Sequence, residues 1–179
     1  MPLWNNAPLV AYHGTDFRSL SSYNPVKGQL LVGFTVDLDV CRPTTDFGKG
    51  FYLTTSLEQA RNWANVKADR RRSKALILKF ELDREWLASL DSLCFVLADT
   101  PFYNLVADCR GGIAPHQRPG SQQLYDVVYG PVTLKGQTMV VQNADQISFH
   151  SDVAASALPE PAVDDIATAN DGQLPRDML

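Results

Sequence analysis

The chain has 179 residues, 45% of them hydrophobic, with a formal net charge of −4. That length supports one domain with a sizeable core and a short extension, and the acidic balance argues against a general nucleic-acid coat, which needs a basic surface, while leaving room for a local basic groove. Cys41, Cys94 and Cys109 are odd in number and lack metal-ligand spacing, which points to a reducing compartment and to no bound metal. No run approaches the roughly 18–20 apolar residues needed to span a bilayer, and Met1 to Leu9 lacks a basic stretch followed by an apolar one. A soluble, cytoplasmic protein with no membrane partner is expected.

In chain order, Leu9 to Tyr12 reads as a strand entering a turn at His13-Gly14-Thr15. Residues 16–45, broken by Pro25, Gly28, Gly33 and Pro43, read as loops with one or two short elements. Gly50 to Thr54 is a short buried strand. A capping box at Ser56 and Gln59 then opens a helix whose inner face carries Leu57, Ala60, Trp63 and Ala64, and which ends near Arg70-Arg71-Arg72. Ala75 to Leu82 alternates as a strand with one wet side. Asp83 to Leu93 reads as a short amphipathic helix, and Pro101 to Cys109 as another, stopped by Gly111-Gly112.

Residues 113–123 read as a loop, and Leu124 to Tyr129 as a strand closed by Gly130-Pro131. Two last strands, Gln137 to Gln142 and Gln146 to Phe149, are separated by Asn143-Ala144-Asp145. Trp4, Trp63 and Trp86 are expected to pack. The predicted order is that of an α+β protein with a mostly antiparallel or split sheet. Its domain spans 1–152, and a flexible polar tail follows at 153–179.

Two segments carry chemistry. His13 lies beside Gly14, and a glycine lets a ligand approach the main chain closely. Its N–H and C=O suit a carboxamide, which offers one acceptor and two donors. Asp46-Phe47-Gly48-Lys49-Gly50-Phe51-Tyr52 puts two glycines around a lysine before an aromatic strand. It lacks the Gly-Lys-Ser/Thr ending of a phosphate-binding P-loop and the G-x-G-x-x-G spacing of a dinucleotide fold.

Together, Y-H-G-T at 12–15, G-K-G-F-Y-L-T-T at 48–55 and the helix with Gln59-Ala60 and Trp63-Ala64 resemble the ADP-ribosyltransferase superfamily. The branch is the histidine–tyrosine one of diphtheria-like toxins and poly(ADP-ribose) polymerases. Within it the chain is similar to a small bacterial family of undetermined function in which D-F-G-x-G-F-Y-x-T and Q-I-x-F recur. Y-D-V-V-Y-G-P-V at 125–132 and D-Q-I-S-F-H-S at 145–151 extend the resemblance over roughly residues 8–152.

The resemblance implies a split β-sandwich of two mostly antiparallel sheets with flanking helices, and NAD⁺ as ADP-ribose donor. By position, His13 matches the histidine that bonds the adenine-side ribose, Gly14 the glycine whose main chain holds the nicotinamide carboxamide, and Tyr52 the tyrosine that stacks on nicotinamide. Thr15 and Gly50 complete the donor-contacting set, and Gln146 falls at the third catalytic position.

Many members have Glu there. Gln146 can bond a ribose hydroxyl but carries no charge and takes no proton, which favours single-unit transfer over chain elongation. Asp46 and Asp126 are alternative activators of the acceptor, whereas strand alternation turns Asp145 away. The implied activity is mono-ADP-ribosylation of a protein or nucleic-acid acceptor by a bacterial toxin or effector, with an antitoxin or immunity protein as a further partner. NAD glycohydrolase activity and a non-catalytic NAD- or ADP-ribose-binding module are the competing readings.

Overall fold

The computed structural model describes residues 7–113, 116–117, 119–134 and 139–167. Trp4, residues 137–138 of an expected strand and 168–179 of the expected tail lie outside them. The fold is α+β, with two mostly antiparallel sheets and few helices.

In the first sheet, β1 (Leu9–Asp16) pairs with β3 (Ala75–Leu82), and β3 pairs with β7 (Ala162–Ala167), all antiparallel. The second runs in the order β2 (Phe51–Leu53), β6 (Val140–Phe149), β5 (Val127–Thr133), β4 (Ser92–Cys94), with only β4 and β5 parallel. The sheets meet where Tyr12 and Thr54 exchange main-chain hydrogen bonds of 2.7 and 2.9 Å. Alternating residues of β1 and β3, among them Ala11, Leu76, Leu78, Phe80 and Leu82, share one core with Phe51, Leu53, Ile147 and Phe149 of the second sheet. Phe47, Phe102, Val106 and Val128 form a second core under α3 (Thr100–Arg110).

Helix α1 (Leu57–Arg71) begins as its capping residues dictate: the Ser56 hydroxyl accepts from the Gln59 N–H at 3.2 Å. The return arm differs from the expected box, because the Thr54 hydroxyl takes the Ser56 N–H and the Gln59 amide instead brackets the main chain of Asp145. The inner face is an alanine stripe of Ala60, Ala64 and Ala68 laid on Ala75 and Ile77. Trp63 is not on it. At 42% exposure it faces solvent, because the helix sits too close to β1 for a large side chain between them. Trp86 packs as expected, stacked on Phe149.

Several boundaries differ from the sequence expectation. Helix α2 stops at Ser89 (Arg84–Ser89), and the unexpected β4 follows it. Strand β5 runs through Gly130-Pro131 rather than closing there, since Gly130 makes room for Phe47 and Phe102, and the absent Pro131 N–H is absorbed in a register shift. The two last strands are one, because Asn143 takes a left-handed φ of 56° and bends β6 without ending it. The expectation of a flexible tail from 153 is overturned over 153–167. After α4 (Asp152–Ser156), Pro161 and Val163 are fully buried and β7 closes the edge of the first sheet. Its acidic residues had hidden it, and such charges are common on edge strands.

Candidate functional site

His13, Gly14 and Tyr52 converge where the two sheets meet. Odd residues of β1 direct their main-chain groups to β3, and even ones direct them away, as the Tyr12–Thr54 bridge shows. Gly14 therefore presents its N–H and C=O to the open edge of β1, facing the second sheet. Its Cα side is closed: a Cβ there would lie 2.0 Å from the Ala60 carbonyl oxygen and 2.7 Å from the Ala64 nitrogen. The missing side chain is thus required by α1, a reason distinct from ligand approach.

The His13 ring stacks on Phe51, with centroids 4.5 Å apart. Its Nδ1–H donates to the main-chain carbonyl of Tyr52 at 2.7 Å, so Nε2 is the acceptor. That nitrogen is met at 3.3 Å by Lys67 Nζ, which also donates to the Gly14 carbonyl at 2.8 Å. Burial, and then the Lys67 charge, lower the His13 pKa to about 3, so the ring is neutral at physiological pH. Burial likewise lowers Lys67 to about 8, with Arg42 and Arg71 acting in the same direction against Asp16 and Cys41.

Tyr52 lies between the two cores. Its hydroxyl donates to the Gly48 carbonyl at 2.8 Å and accepts from the Phe47 N–H at 3.0 Å and the Thr45 hydroxyl at 2.6 Å. The 45–48 turn therefore fixes the ring by its far end. Burial raises the phenol pKa, so it stays protonated. Thr15 is buried beside His13 along β1. Gly50 fits against His150, whose ring atoms would be 2.8 Å from a Cβ.

Gln146 shares a face of the second sheet with Tyr52, two residues from Ser148, the direct partner of Tyr52 across the β2–β6 pair. Its amide nitrogen donates to Asp46 Oδ2 at 2.9 Å and to the Pro131 carbonyl at 3.0 Å. Both partners only accept, which sets the amide orientation and turns Oε1 the other way. Asp46 is the hub of this buried network: Arg110 reaches it at 2.6 Å, and the Thr133 N–H and hydroxyl each at 2.9 Å.

The alternative acids are engaged in structure. Asp126 accepts from the Asp91 N–H and the Ser151 hydroxyl. Asp145 points away from Gln146, as alternation requires, and ties Thr54 and Thr55 at the start of α1 to β6. Within the triple arginine, Arg71 pairs with Asp16 at 3.2 Å.

Lys67 was missed from sequence, yet it had a signal: with Ala60, Ala64 and Ala68 it completes an apolar-spaced stripe, an unusual place for a lysine. A cavity of about 430 Å³, lined by Thr55, Pro131 and residues 140–145, opens beyond Asp145 at the far end of β6 and does not include His13 or Tyr52. Among the described residues no three His, Cys, Asp or Glu side chains are grouped to hold a metal, and no helix is long and apolar enough to cross a membrane.

Fold and site define an α+β protein whose candidate site lies at the junction of two mostly antiparallel sheets. Residues 32–143 match the family described as protein of unknown function (DUF3990), and the chain belongs to that family. The match holds Asp46, Tyr52, Lys67 and Arg110, while His13 precedes it and Gln146 follows. No curated protein and no solved structure matches the chain.

Proposed function

We propose that this chain binds NAD⁺ at the junction of its sheets and transfers a single ADP-ribose unit to a macromolecular acceptor, on a fold of the ADP-ribosyltransferase type. The observation that carries the reading is that the neutral His13 ring, bonded to the Tyr52 main chain, and the edge-facing main chain of Gly14 meet at the junction of the sheets, with the Tyr52 hydroxyl held by the 45–48 turn. Gly14 would take the carboxamide, His13 Nε2 a hydroxyl of the adenine-side ribose, and Tyr52 the nicotinamide face. Nicotinamide then leaves with the electron pair of its C1′–N bond. The acceptor's nucleophile forms the new bond at C1′ and releases its proton to solvent. Little is asked of the protein beyond holding the donor and stabilising developing charge.

The acceptor is a protein or a nucleic acid. A bacterial toxin or effector, working in the cytoplasm of its own cell or a target cell and held in check by an antitoxin or immunity protein, is the setting such an activity fits. Incubation with labelled NAD⁺ and lysate should label a macromolecule, and Tyr52→Ala should abolish the label. Labelling that survives in a folded Tyr52→Ala protein refutes the assignment. NAD glycohydrolase activity would instead release free ADP-ribose at a rate that lysate leaves unchanged.

One observation favours a second reading, a binding module without catalysis. Gln146 is neutral, and Asp46, Asp126 and Asp145, the acids weighed as activators, all have structural partners. Calorimetry showing NAD⁺ binding with no nicotinamide release in lysate would establish that reading over the first.

A further inference from the structure

We infer that Lys67 is a specificity-determining residue that makes the site select nicotinamide ligands carrying a diphosphate. The inference rests on the NAD⁺ reading above. Lys67 Nζ stands between two atoms, 2.8 Å from the Gly14 carbonyl and 3.3 Å from His13 Nε2. These are the atoms that hold the carboxamide and the adenine-side ribose in that reading. In the covalent structure of NAD⁺ the diphosphate lies between those same two groups. The ammonium therefore stands between the two anchor points, as the diphosphate does between the groups they hold.

Lys67 has no ion-pair partner among the described residues, and Asp16 acts on it only from beyond ion-pair distance. Among the described residues no carboxylate lies within 4.0 Å of it, and its bonds are to a carbonyl and a neutral imidazole. With a pKa near 8 it is still mostly cationic at pH 7. Arg42 and Arg71 add positive potential, offset in part by Asp16, which is itself paired with Arg71.

A ligand hydroxyl that takes the single lone pair of His13 Nε2 displaces the ammonium from that nitrogen, and a carboxamide N–H on the Gly14 carbonyl competes with it for that oxygen. A half-buried ammonium left without partners is costly. Nicotinamide riboside lacks the adenine-side ribose, so it reaches the Gly14 carbonyl alone, and its pyridinium brings a second positive charge near the ammonium and no anion. A dinucleotide offers phosphate oxygens, and a charge-assisted bond to them replaces what was lost. The same side chain thus opposes one class of ligand and favours the other.

Titration calorimetry with NAD⁺, nicotinamide riboside and inorganic pyrophosphate on wild type, Lys67→Met and Lys67→Arg tests this. Lys67→Met should lower the preference for NAD⁺ over nicotinamide riboside at least tenfold, by weakening the first and tightening the second. It should also lose pyrophosphate binding, while Lys67→Arg keeps both the preference and the pyrophosphate. An unchanged preference in folded Lys67→Met overturns the role of Lys67 and leaves the NAD⁺ reading in place. Pyrophosphate binding that depends on Lys67, with no binding of either nicotinamide ligand, removes the NAD⁺ reading and with it the claimed selectivity, leaving an anion-binding lysine. Wild type that binds none of the three overturns both.

Discussion

Acid should unfold this protein through its histidines. His13 and His150 both have pKa values lowered from 6.5 to about 3, His13 by burial and then by Lys67, His150 by burial and then by His116. Each has a fixed tautomer that uses its neutral form: His150 Nδ1–H donates to the Lys49 carbonyl at 2.7 Å, and Nε2 faces the Ser148 hydroxyl at 2.7 Å. The unfolded chain binds protons at these rings below about pH 6.5 and the folded chain does not, so stability is present above that pH and falls with acid. The loss is about 1.4 kcal/mol per pH unit for each ring. Relative to pH 7 the pair costs about 2.5 kcal/mol at pH 5.5 and about 5 kcal/mol at pH 4.5. His116, 4.2 Å from His150 between ring centroids and also lowered by burial, adds to the slope. A domain of this size holds roughly 5–15 kcal/mol in total, so the pair alone would unfold one at the lower end of that range between about pH 4 and 4.5. Urea titrations followed by far-ultraviolet circular dichroism at half-unit steps from pH 8 to 4 measure the slope. His150→Gln should be less stable at pH 7 but lose stability about half as steeply in acid, and His13→Gln should behave alike. Stability that stays flat from pH 7 to 5, or a slope unchanged in both variants, would refute the reasoning.

Gly14→Ala forces a methyl to 2.0 Å from the Ala60 carbonyl oxygen, and main chain on both sides prevents relief. It should cost about 3 kcal/mol or more, a fall of roughly 10 °C in melting temperature. A scanning-calorimetry shift under a few degrees would show that α1 can move off β1. Asp46→Ala leaves the Arg110 guanidinium and the Gln146 amide without their shared partner, and should cost about 3–5 kcal/mol in urea unfolding. Asp46→Asn, which keeps an acceptor, should cost less. Truncation after Leu158 removes β7 and bares the edge of β3, so the product should be insoluble or lack a cooperative transition. A soluble, cooperatively melting truncation would mean that β7 is dispensable.

Much of the fold was legible because its signals are local. The alternation of 75–82 and the Ser56 cap with its alanine spacing each follow from neighbours in sequence. What failed depends on contacts distant in sequence. Gly130-Pro131 reads as a terminator, yet it continues a strand, because Phe47 and Phe102 need the space over Gly130. Residues 162–167 read as tail because two aspartates interrupt their pattern; their place is decided by the free edge of β3.

The candidate site divides in the same way. His13, Gly14 and Tyr52 were visible as motifs, but the packing of Gly14 against α1 was not. One face of this glycine is spent on α1, and its carbonyl, free of strand pairing, accepts from Lys67. A lysine within an alanine stripe is costly unless its ammonium has an outlet, and the Gly14 carbonyl at 2.8 Å supplies one. In the proposed NAD⁺ site, helix packing and donor binding would therefore be coupled through residue 14. A change that loosens α1 moves the ammonium and the carbonyl together, and its effect on donor binding should track its effect on stability, whereas a change at Lys67 alone separates the two.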